Sequence, residues 1–305
     1  MQAAVATRVT WAGDSCAHYV RCYPNYVVIR AMTAIVRTLT RQGFALVADG
    51  RCSNSDNNSV ISDEVQKIFP LTCPVGAFAL CFSGADGFTS LDTGDQLKLP
   101  QLAMRCAASL EGRRFANAAG YAYRLSRCIN EAIKGFSLGG PIHSGTSAQP
   151  NLADEFGDTI CRIALVGIEN IRNGKRATVV DMRFYHVDGV LCDPEVKPES
   201  PLHIGGYRGY SPSKIIGHLV CNQPKEDGRL SVYRRPIKEP DEVTLQDALE
   251  GAKAFILAHS DPEAIAIDPL CRAVGGHIHI ATITPSEGFK WIIEPISGDS
   301  PVTAP

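Results

Sequence analysis

The chain has 305 residues, of which 45% are hydrophobic and 20% charged, so it can bury a full core as one large domain or two smaller ones. Its 30 Lys and Arg residues nearly balance its 32 Asp and Glu residues, which excludes a strong field for nucleic acid or an anionic membrane surface. The longest apolar runs, such as residues 76–82, are far shorter than the roughly 20 residues that cross a bilayer. The composition therefore predicts a soluble protein with no nucleic acid and no membrane as partner.

The cysteine and histidine patterns bear on redox compartment and metal binding. The 11 cysteines run from Cys16 to Cys271 without a C-x-x-C pair, and several lie in apolar runs where a thiol acts as a small hydrophobe. We therefore expect a reduced, cytoplasmic chain. A zinc site needs clustered ligands, and the only close pair is His277 and His279, which strand alternation would place on one face. Half-exposed strand histidines are the favoured interpretation, and no metal is predicted.

The first half of the chain is predicted to be rich in strands. Residues 1–32 show no clear periodicity and lack the apolar run of a secretory signal peptide. Beyond them, β-branched and apolar segments are separated by turn residues. The predicted strands are 34–40, 44–48, 67–69 and 76–82, with a polar loop at 52–63, Pro70 and Pro74 splitting the last pair, and Gly84 and Asp86 just beyond it.

Helices and further strands follow in the second half. The predicted helices at 102–110 and 115–133 precede a Gly-, Ser- and Pro-rich loop at 135–158, and the second helix carries an apolar stripe at helical spacing. The later elements are strands at 161–167 and 177–185, a tight turn at Asp188-Gly189, a helix starting near 211–214, a solvated loop at 224–242, a last helix capped by residues 244–247, and closing strands at 274–284 and 289–293. This order predicts a layered α/β fold with mainly antiparallel sheets between helical layers.

The junction Met32-Thr33 is the strongest functional signal. A threonine hydroxyl is a poor nucleophile at neutral pH unless a base lies beside it, and a free α-amino group on the same residue is the nearest base available. Two explanations would both expose Thr33: residues 1–32 are a propeptide, or Met32 is the true initiator. We therefore expect residues 1–32 to be absent from the mature chain, residues 33–298 to form the folded domain, and residues 299–305 to form a tail.

Three further residues could complete such a site. An α-amine has a reference pKa of about 8, and a nearby cationic lysine would favour its neutral, basic form. Lys67 could be that lysine, and Asp49 could hold it as an ion pair, although Asp49 beside Arg51 is also typical of a simple strand-end pair. Gly84 could donate its backbone N–H to an oxyanion, because a residue without a side chain permits close approach of a substrate.

These segments resemble the proteasome β-subunit family and its bacterial relatives. The family has an acidic residue sixteen positions after its catalytic threonine, within an Ala-Asp-x-Arg sequence, and residues 48–51 match that pattern after Thr33. Lys67-Ile68 corresponds to the family's lysine before an apolar residue if the preceding loop is two residues longer than usual. Gly84, within Ser83-Gly84-Ala85-Asp86, corresponds to the oxyanion glycine.

The resemblance is weaker in the second half, where the chain departs from the family pattern. The stretch before the predicted third helix falls where the family has Gly-Ser-Gly, so Gly206 occupies the position of the serine that assists the amine. Residues 249–276 resemble the family's last helix and its Asp-x-x-Ser-Gly-Gly turn, but Cys271 and Val274 replace its aspartate and serine. Asp268 is a nearby substitute that a small loop shift would bring into place.

The resemblance implies a four-layer αββα N-terminal nucleophile hydrolase sandwich with two mainly antiparallel sheets. It implies a catalytic set of Thr33, Asp49, Lys67 and Gly84, with possible support from Arg51, Gly206 and Asp268. It also implies a substrate pocket with a preference for a small or apolar residue before the scissile bond, lined by Cys52, Val65, Phe82 and Asp86. No cofactor is required.

Three functions stay open at this point. The first is a threonine endopeptidase that assembles into a homo-oligomeric ring and cleaves unfolded protein or peptide. Because no G-x-x-x-x-G-K-[ST] motif occurs, any ATP-dependent unfoldase that feeds it would be a separate chain. The second is a non-catalytic structural or binding subunit of such a ring, which the missing serines favour. The third is a small-molecule amidase on the same fold.

Overall fold

The structure, a computed structural model, describes residues 26–31, 34–53, 59–90, 95–137, 158–187, 190–210, 213–221, 228–235 and 238–296. The Met32-Thr33 junction, the predicted turn at Asp188-Gly189 and the predicted tail at 299–305 lie outside the described residues, as does most of the predicted loop at 135–158.

The described residues form strands and helices in the following order. The strands are β1 (Tyr26–Ala31), β2 (Ile35–Thr40), β3 (Gly43–Ala48), β4 (Cys52–Ser53), β5 (Val60–Ser62), β6 (Ile68–Cys73), β7 (Gly76–Ser90), β8 (Gln96–Lys98), β9 (Asp158–Ile171), β10 (Gly174–Val187), β11 (Val190–Leu191), β12 (Glu195–Pro198), β13 (Tyr207–Tyr210), β14 (His279–Thr284) and β15 (Gly288–Ile293). The α-helices are α1 (Leu99–Ala108), α2 (Ala118–Ser137), α3 (Lys214–Cys221), α4 (Leu245–Ser260) and α5 (Pro262–Ile267), and short 3-10 turns lie at 231–233, 240–242 and 269–273.

The fold is mixed α/β with mainly antiparallel sheets. The larger sheet has the order β1-β7-β9-β10-β11, with β6 and β8 also paired to β7 and β12 paired to β10. The smaller sheet has the order β13-β2-β3-β14-β15, and β4 pairs with β5 as a separate ribbon. Every strand pairing in these sheets is antiparallel, and the parallel bridge between Leu39 and Ile204 lies outside the named pairs.

The β2–β3 hairpin shows how local chemistry sets up the site. The Thr40 hydroxyl donates to the Gly43 carbonyl at 3.0 Å and accepts from the Gln42 N–H at 3.1 Å, which closes the turn. Gly43 has φ of 140°, and a Cβ there would lie 2.2 Å from the Ile283 carbonyl oxygen of β14. The hairpin is therefore held tightly against β14, and all six residues of β3 are buried.

Four apolar clusters form the core, of which three pack the sheets and helices on one another and the fourth joins α3 to α4 and α5. Helices α1 and α2 cover one face of the larger sheet, the two sheets pack face to face, and α4 covers the outer face of the smaller sheet. Leu125 and Ile129 share the first cluster with Phe78 and Leu80, Ile35 and Leu46 share the second with Cys81 and Val166, and Ala252 and Ile256 share the third with Val36 and Val47. Each large side chain that is fully buried in this way contributes roughly 1.5–3 kcal/mol.

Helix α4 begins with a capping box. The Thr244 hydroxyl accepts from the Asp247 N–H at 3.1 Å, and an Asp247 carboxylate oxygen accepts from the Thr244 N–H at 3.0 Å. This confirms the predicted start of the helix. Helix α4 packs directly on β2 and β3. Its cap therefore helps to hold the hairpin that ends next to Asp49.

The predicted strands and helices are largely confirmed, but β1, β8, β12 and β13 were not predicted and several other elements differ. Strand β7 continues to Ser90 instead of ending at residue 82, because β1 and β8 pair along its second half. The predicted polar loop at 52–63 contains the ribbon of β4 and β5. Residues 274–278 form a turn, so β14 begins only at His279. Helix α4 is followed by the short helix α5, which the sequence analysis missed.

Candidate functional site

The candidate site is built around Asp49, which directly follows β3 and is fully buried. Thr33 itself lies outside the described residues, and Ala34, its neighbour in the chain, is the first described residue after it. The Ala34 backbone N–H donates to Asp49 Oδ1 at 2.9 Å, and the Asp49 N–H donates to the Ala34 carbonyl at 3.1 Å. The start of β2 and the end of β3 are thus joined through Asp49.

Within the described residues, each oxygen of the Asp49 carboxylate faces two donors. Oδ1 accepts from Ala34 N and from Lys67 Nζ, the latter at 2.6 Å. Oδ2 accepts from Gly275 N at 3.1 Å and from Arg51 N at 3.3 Å. Because all four partners are donors, the ionised carboxylate is the form whose lone pairs are satisfied.

Electrostatics at Asp49 are a balance between burial and these donors. Burial raises the pKa of the Asp49 carboxyl above its ordinary value, and the Lys67 ammonium and the backbone donors oppose that rise. The Asp49 and Lys67 side chains are 0% and 3% exposed, so the ion pair is shielded from solvent. Losing one partner would leave an uncompensated charge in the core.

Lys67 stands directly before β6 and is anchored through its backbone and its side chain. Its N–H donates to His279 Nε2 at 3.1 Å, and its carbonyl accepts from the Phe82 N–H at 2.9 Å. Its ammonium donates to Asp49 and to the Arg51 carbonyl at 2.7 Å. Lys67 therefore connects the smaller sheet, through β14, to the larger sheet, through β7.

Arg51 joins the loop after β3 to two other loops. Its guanidinium donates from Nε to Asp63 Oδ1 at 2.7 Å and from Nη2 to Asp63 Oδ2 at 3.1 Å, a bidentate pair that lowers the pKa of Asp63. Nη1 donates to the carbonyls of Val274 and Arg272 at 3.3 and 3.2 Å. Arg51 thus supports the turn that carries Gly275, and its carbonyl is a Lys67 acceptor.

Gly84 lies inside β7, with Cys161 of β9 and Ala31 of β1 as its strand partners. The prediction that Gly84 lies just beyond the strand is wrong, because β1 extends the pairing of β7. Its φ is 95°, and a Cβ there would lie 2.8 Å from the Ile160 carbonyl oxygen and 2.9 Å from Cys161 Cα. Packing against β9 therefore requires glycine here, independently of any substrate.

The strand upstream of Thr33 lies along the second half of β7. Residues 26–31 of β1 pair antiparallel with residues 84–90 of β7, with a register shift at Asp86, and β1 also contacts β4. Strand β1 thus forms an edge of the larger sheet, beside Gly84, although it belongs to the segment 1–32 that was predicted to be removed.

Gly206 does not join the other predicted site residues. Tyr207 pairs with Thr38, and Gly205 N–H donates to the Leu39 carbonyl, so Gly206 lies near the turn end of β2. Ala34 lies five residues further along, or about 17 Å at 3.4 Å a residue. The prediction that Gly206 holds the serine position is wrong, because the pairing register of β13 decides which residue approaches Ala34.

Ser213 is a buried serine that was not predicted as a site residue. The residue of β13 nearest to Ala34 is Tyr210, opposite Ile35, and Ser213 follows it at the start of α3. Its hydroxyl accepts from the Ile216 N–H at 3.2 Å, and its carbonyl lies 3.2 Å from His259 Nε2. The sequence feature that could have identified Ser213 is its position at the predicted start of the third helix.

The turn at residues 268–276, which was predicted to correspond to the Asp-x-x-Ser-Gly-Gly turn of the proteasome β-subunit family, is held by its own hydrogen bonds. Asp268 accepts from the Leu270 N–H at 3.0 Å and so caps the 3-10 turn at 269–273. Cys271 is fully buried, and burial, with Asp268 as a second cause, raises the pKa of its thiol to about 12. A thiol that stays protonated does not replace a carboxylate. Val274 contributes its carbonyl to Arg51.

The four predicted pocket residues differ in burial. Cys52 is buried, and burial, then the charge on Asp86, raises the pKa of its thiol to about 11. Phe82 packs edge to face against Phe69, with 5.2 Å between ring centroids, in the cluster under α1 and α2. Val65 donates its N–H to the Gly50 carbonyl. Asp86 and Val65 are partly exposed.

A cavity of about 250 Å³ lies at the other end of the sheets, near the β14–β15 turn. None of the four predicted pocket residues lines it. Its lining is Thr72, Cys73, Gly76, Ala77, Ile168, Asn170, Lys175, Thr284 and Gly288.

The two histidines of the Gly-Gly-His-Ile-His segment have separate partners. His277 is partly exposed, and its Nε2 lies 2.7 Å from the Glu294 carbonyl oxygen. His279 is buried and contacts Lys67, so the prediction of a half-exposed residue is wrong for His279. Among the described residues, no group of three or more His, Cys, Asp or Glu side chains could hold a metal ion.

Comparisons with known proteins add little to this geometry. No protein-family model and no curated protein matches the sequence. One matching solved structure is the Anbu (Gly-1) mutant from Hyphomicrobium sp. strain MC1, which is 15% identical over 88% of this chain and 88% of that chain, with a TM-score of 0.44. Neither a family nor an activity follows from a likeness at that level. In the part of the chain that the structure describes, no helix is long and apolar enough to cross a membrane.

Proposed function

We propose that this protein is a threonine-type peptidase with an N-terminal nucleophile, on a four-layer αββα fold of the proteasome type. One observation carries the proposal: the buried Asp49–Lys67 pair is hydrogen-bonded to the backbone N–H of Ala34, the residue joined to Thr33. A buried lysine held by a carboxylate next to a threonine is the arrangement that an amine-activated nucleophile needs.

The proposed reaction begins at Thr33 after removal of residues 1–32. Its free α-amine accepts the proton of its hydroxyl through water, and Oγ attacks the peptide carbonyl. The Lys67 ammonium keeps the amine neutral by charge repulsion. Among the described residues, Asp49 Oδ1 and the Arg51 carbonyl accept two of the three ammonium protons, which leaves one proton for a further acceptor, proposed to be Thr33.

The later steps release both parts of the substrate. The Gly84 N–H stabilises the tetrahedral oxyanion, the carbon–nitrogen bond breaks, and the leaving amine takes the proton from the Thr33 amine. This leaves an ester between the acyl group and Thr33 Oγ. Water then attacks the ester with the amine again as base, which frees the carboxylic acid and restores the hydroxyl.

The strand upstream of Thr33 supports a peptide as substrate. If residues 26–31 leave with the propeptide, residues 84–90 of β7 lose a strand partner and present free backbone N–H and C=O groups. An extended peptide can pair with such an edge. The side chains of Cys52, Val65 and Asp86 would then select the residue before the scissile bond, whereas Phe82 packs in the cluster under α1 and α2. A peptide with the sequence of residues 26–31 is expected to compete with substrate.

The same strand also favours one alternative, a non-catalytic subunit of a ring. While β1 stays attached and paired with β7, the Thr33 nitrogen is part of a peptide bond and cannot act as a base.

We propose that the active protein is cytoplasmic and forms a homo-oligomeric ring, which receives unfolded chains from a separate ATP-dependent unfoldase. Sedimentation analysis of the purified protein tests the ring.

The deciding experiment is the amino terminus of the purified protein, read by intact mass and Edman sequencing. The chain and its Thr33→Ala and Thr33→Ser variants are then treated with a peptide epoxyketone. We expect a mature chain that begins at Thr33, one inhibitor added per chain, no addition to the Thr33→Ala variant and slower addition to the Thr33→Ser variant. A chain that keeps residues 1–32 and ignores the inhibitor would support the non-catalytic subunit.

A further inference from the structure

His279 occupies a buried position between the two halves of the candidate site. It is the first residue of β14 and pairs with Ala48, the residue before Asp49. Its ring is 6.1 Å from that of Trp291, centroid to centroid, in an edge-on arrangement. Its Nε2 lies 3.1 Å from the backbone nitrogen of Lys67. The imidazole therefore bridges the strand next to Asp49 and the residue that pairs with Asp49.

The direction of this hydrogen bond fixes the state of the ring. A backbone N–H can only donate, so His279 Nε2 must carry a lone pair, and the single proton of a neutral imidazole lies on Nδ1. The charged imidazolium has no acceptor and would break the contact. Burial, and then the charges of Lys67 and His277, lower the pKa of His279 to about 3. The ring is thus an acceptor throughout the neutral and mildly acidic range.

The contact has a direct consequence for Lys67. On its carbonyl side, Lys67 is tied to Phe82 in the larger sheet. On its N–H side, the buried partner is the His279 ring, which belongs to the smaller sheet. The position from which the Lys67 side chain extends to Asp49 is set by these two bonds together. Among the residues that the structure describes, no backbone carbonyl of a neighbouring strand accepts from the Lys67 N–H, because β6 begins only at Ile68.

We propose that His279 is a positioning residue for Lys67, acting as a neutral hydrogen-bond acceptor that holds the lysine backbone so that its ammonium reaches Asp49. The catalytic consequence rests on the proposed function. The structural part does not, since it concerns only the Lys67 backbone and the ring nitrogen.

The test compares three His279 variants with a control. In His279→Gln, the side-chain oxygen can take the place of Nε2 as acceptor. In His279→Asn, a polar side chain is retained but is one bond too short, and in His279→Leu no acceptor remains. The matched control is His277→Leu, which loses the neighbouring histidine and its contact with Glu294 but not the contact with Lys67. All are made in the full chain.

The first readout is independent of catalysis: hydrogen exchange of the Lys67 amide, followed by mass spectrometry. We expect protection in the wild type, in His279→Gln and in His277→Leu, and at least tenfold faster exchange in His279→Asn and His279→Leu. Equal protection in all variants would overturn the proposal. Because His279→Asn and His279→Gln are both polar, their comparison stands even if His279→Leu does not fold.

The second readout is the pH profile of peptide hydrolysis. A displaced Lys67 no longer lowers the pKa of the Thr33 amine, so the acidic limb of kcat/KM should move up by about 0.5–1 pH unit in His279→Asn. We expect kcat to fall by about 10²-fold with KM little changed, and His279→Gln to restore both. An unchanged acidic limb with altered amide exchange would overturn the catalytic part. A wild type without hydrolysis would defeat the proposed function, and amide exchange alone would decide the positioning role.

Discussion

Replacing Lys67 with methionine removes the ammonium from the buried pair while keeping a long apolar side chain. The Asp49 carboxylate would then keep its three backbone donors but lose the positive charge of Lys67 that pairs with it. Removing one partner of a buried ion pair costs about 3–5 kcal/mol. For 305 residues with an unfolding entropy of about 2.1 cal/mol/K each, this corresponds to a loss of roughly 5–8 °C in Tm.

A double-mutant cycle separates this electrostatic cost from lost packing. The variants are Lys67→Met, Asp49→Asn and the two combined, measured by thermal and denaturant unfolding. Because the double variant no longer buries an unpaired charge, it should be more stable than the sum of the single variants predicts, by about 0.5–3 kcal/mol. Each single variant should also lower peptide hydrolysis by at least about 10²-fold.

The proposed buried charge pair is refuted if the free energy of unfolding of Lys67→Met lies within about 1 kcal/mol of the wild-type value and the cycle is additive. That result would mean that Asp49 does not hold a buried charge beside Lys67. Loss of stability with full hydrolysis would have a different meaning: the pair would be a structural feature of the core, and the proposed role of Lys67 in lowering the amine pKa would be wrong.

Three further predictions follow from the fold. Thr244→Ala removes the α4 cap and should cost about 1 kcal/mol in a thermal melt followed by circular dichroism. The pKa of Asp247 is lowered to about 2 by Lys238 and then by Thr244, so its contribution to stability is present above about pH 4 and lost as pH falls through 2; Asp247→Asn should flatten the stability curve in that window. Gly206→Ser should be neutral within about 0.5 kcal/mol, whereas Gly209→Ala should disrupt β13, since a Cβ at these positions would lie 3.8 Å and 1.8 Å from its nearest atom; soluble yield and Tm of the matched pair test this.

Much of the fold could be predicted because local patterns decide it. In β2, buried and partly buried residues alternate along most of the strand, β3 is buried throughout, and a turn that ends at Gly43 joins them. Helix α4 carries both a capping box and an apolar stripe. The second half of β7 was missed because its residues, from Gly84 on, become a strand only through pairing with β1 and β8. Its own sequence carries no signal for those partners.

For the candidate site, the sequence by itself determined which residue types could work with Thr33: an acid sixteen positions on, a lysine before an apolar strand and a glycine in a small-residue turn. Only the tertiary structure decided which groups surround them. The partners of Asp49 and Lys67 include Gly275 and His279, more than two hundred residues away in the chain, and the register of β13 excludes Gly206. Strand register and sheet packing bring distant residues together, and no local pattern encodes those long-range contacts.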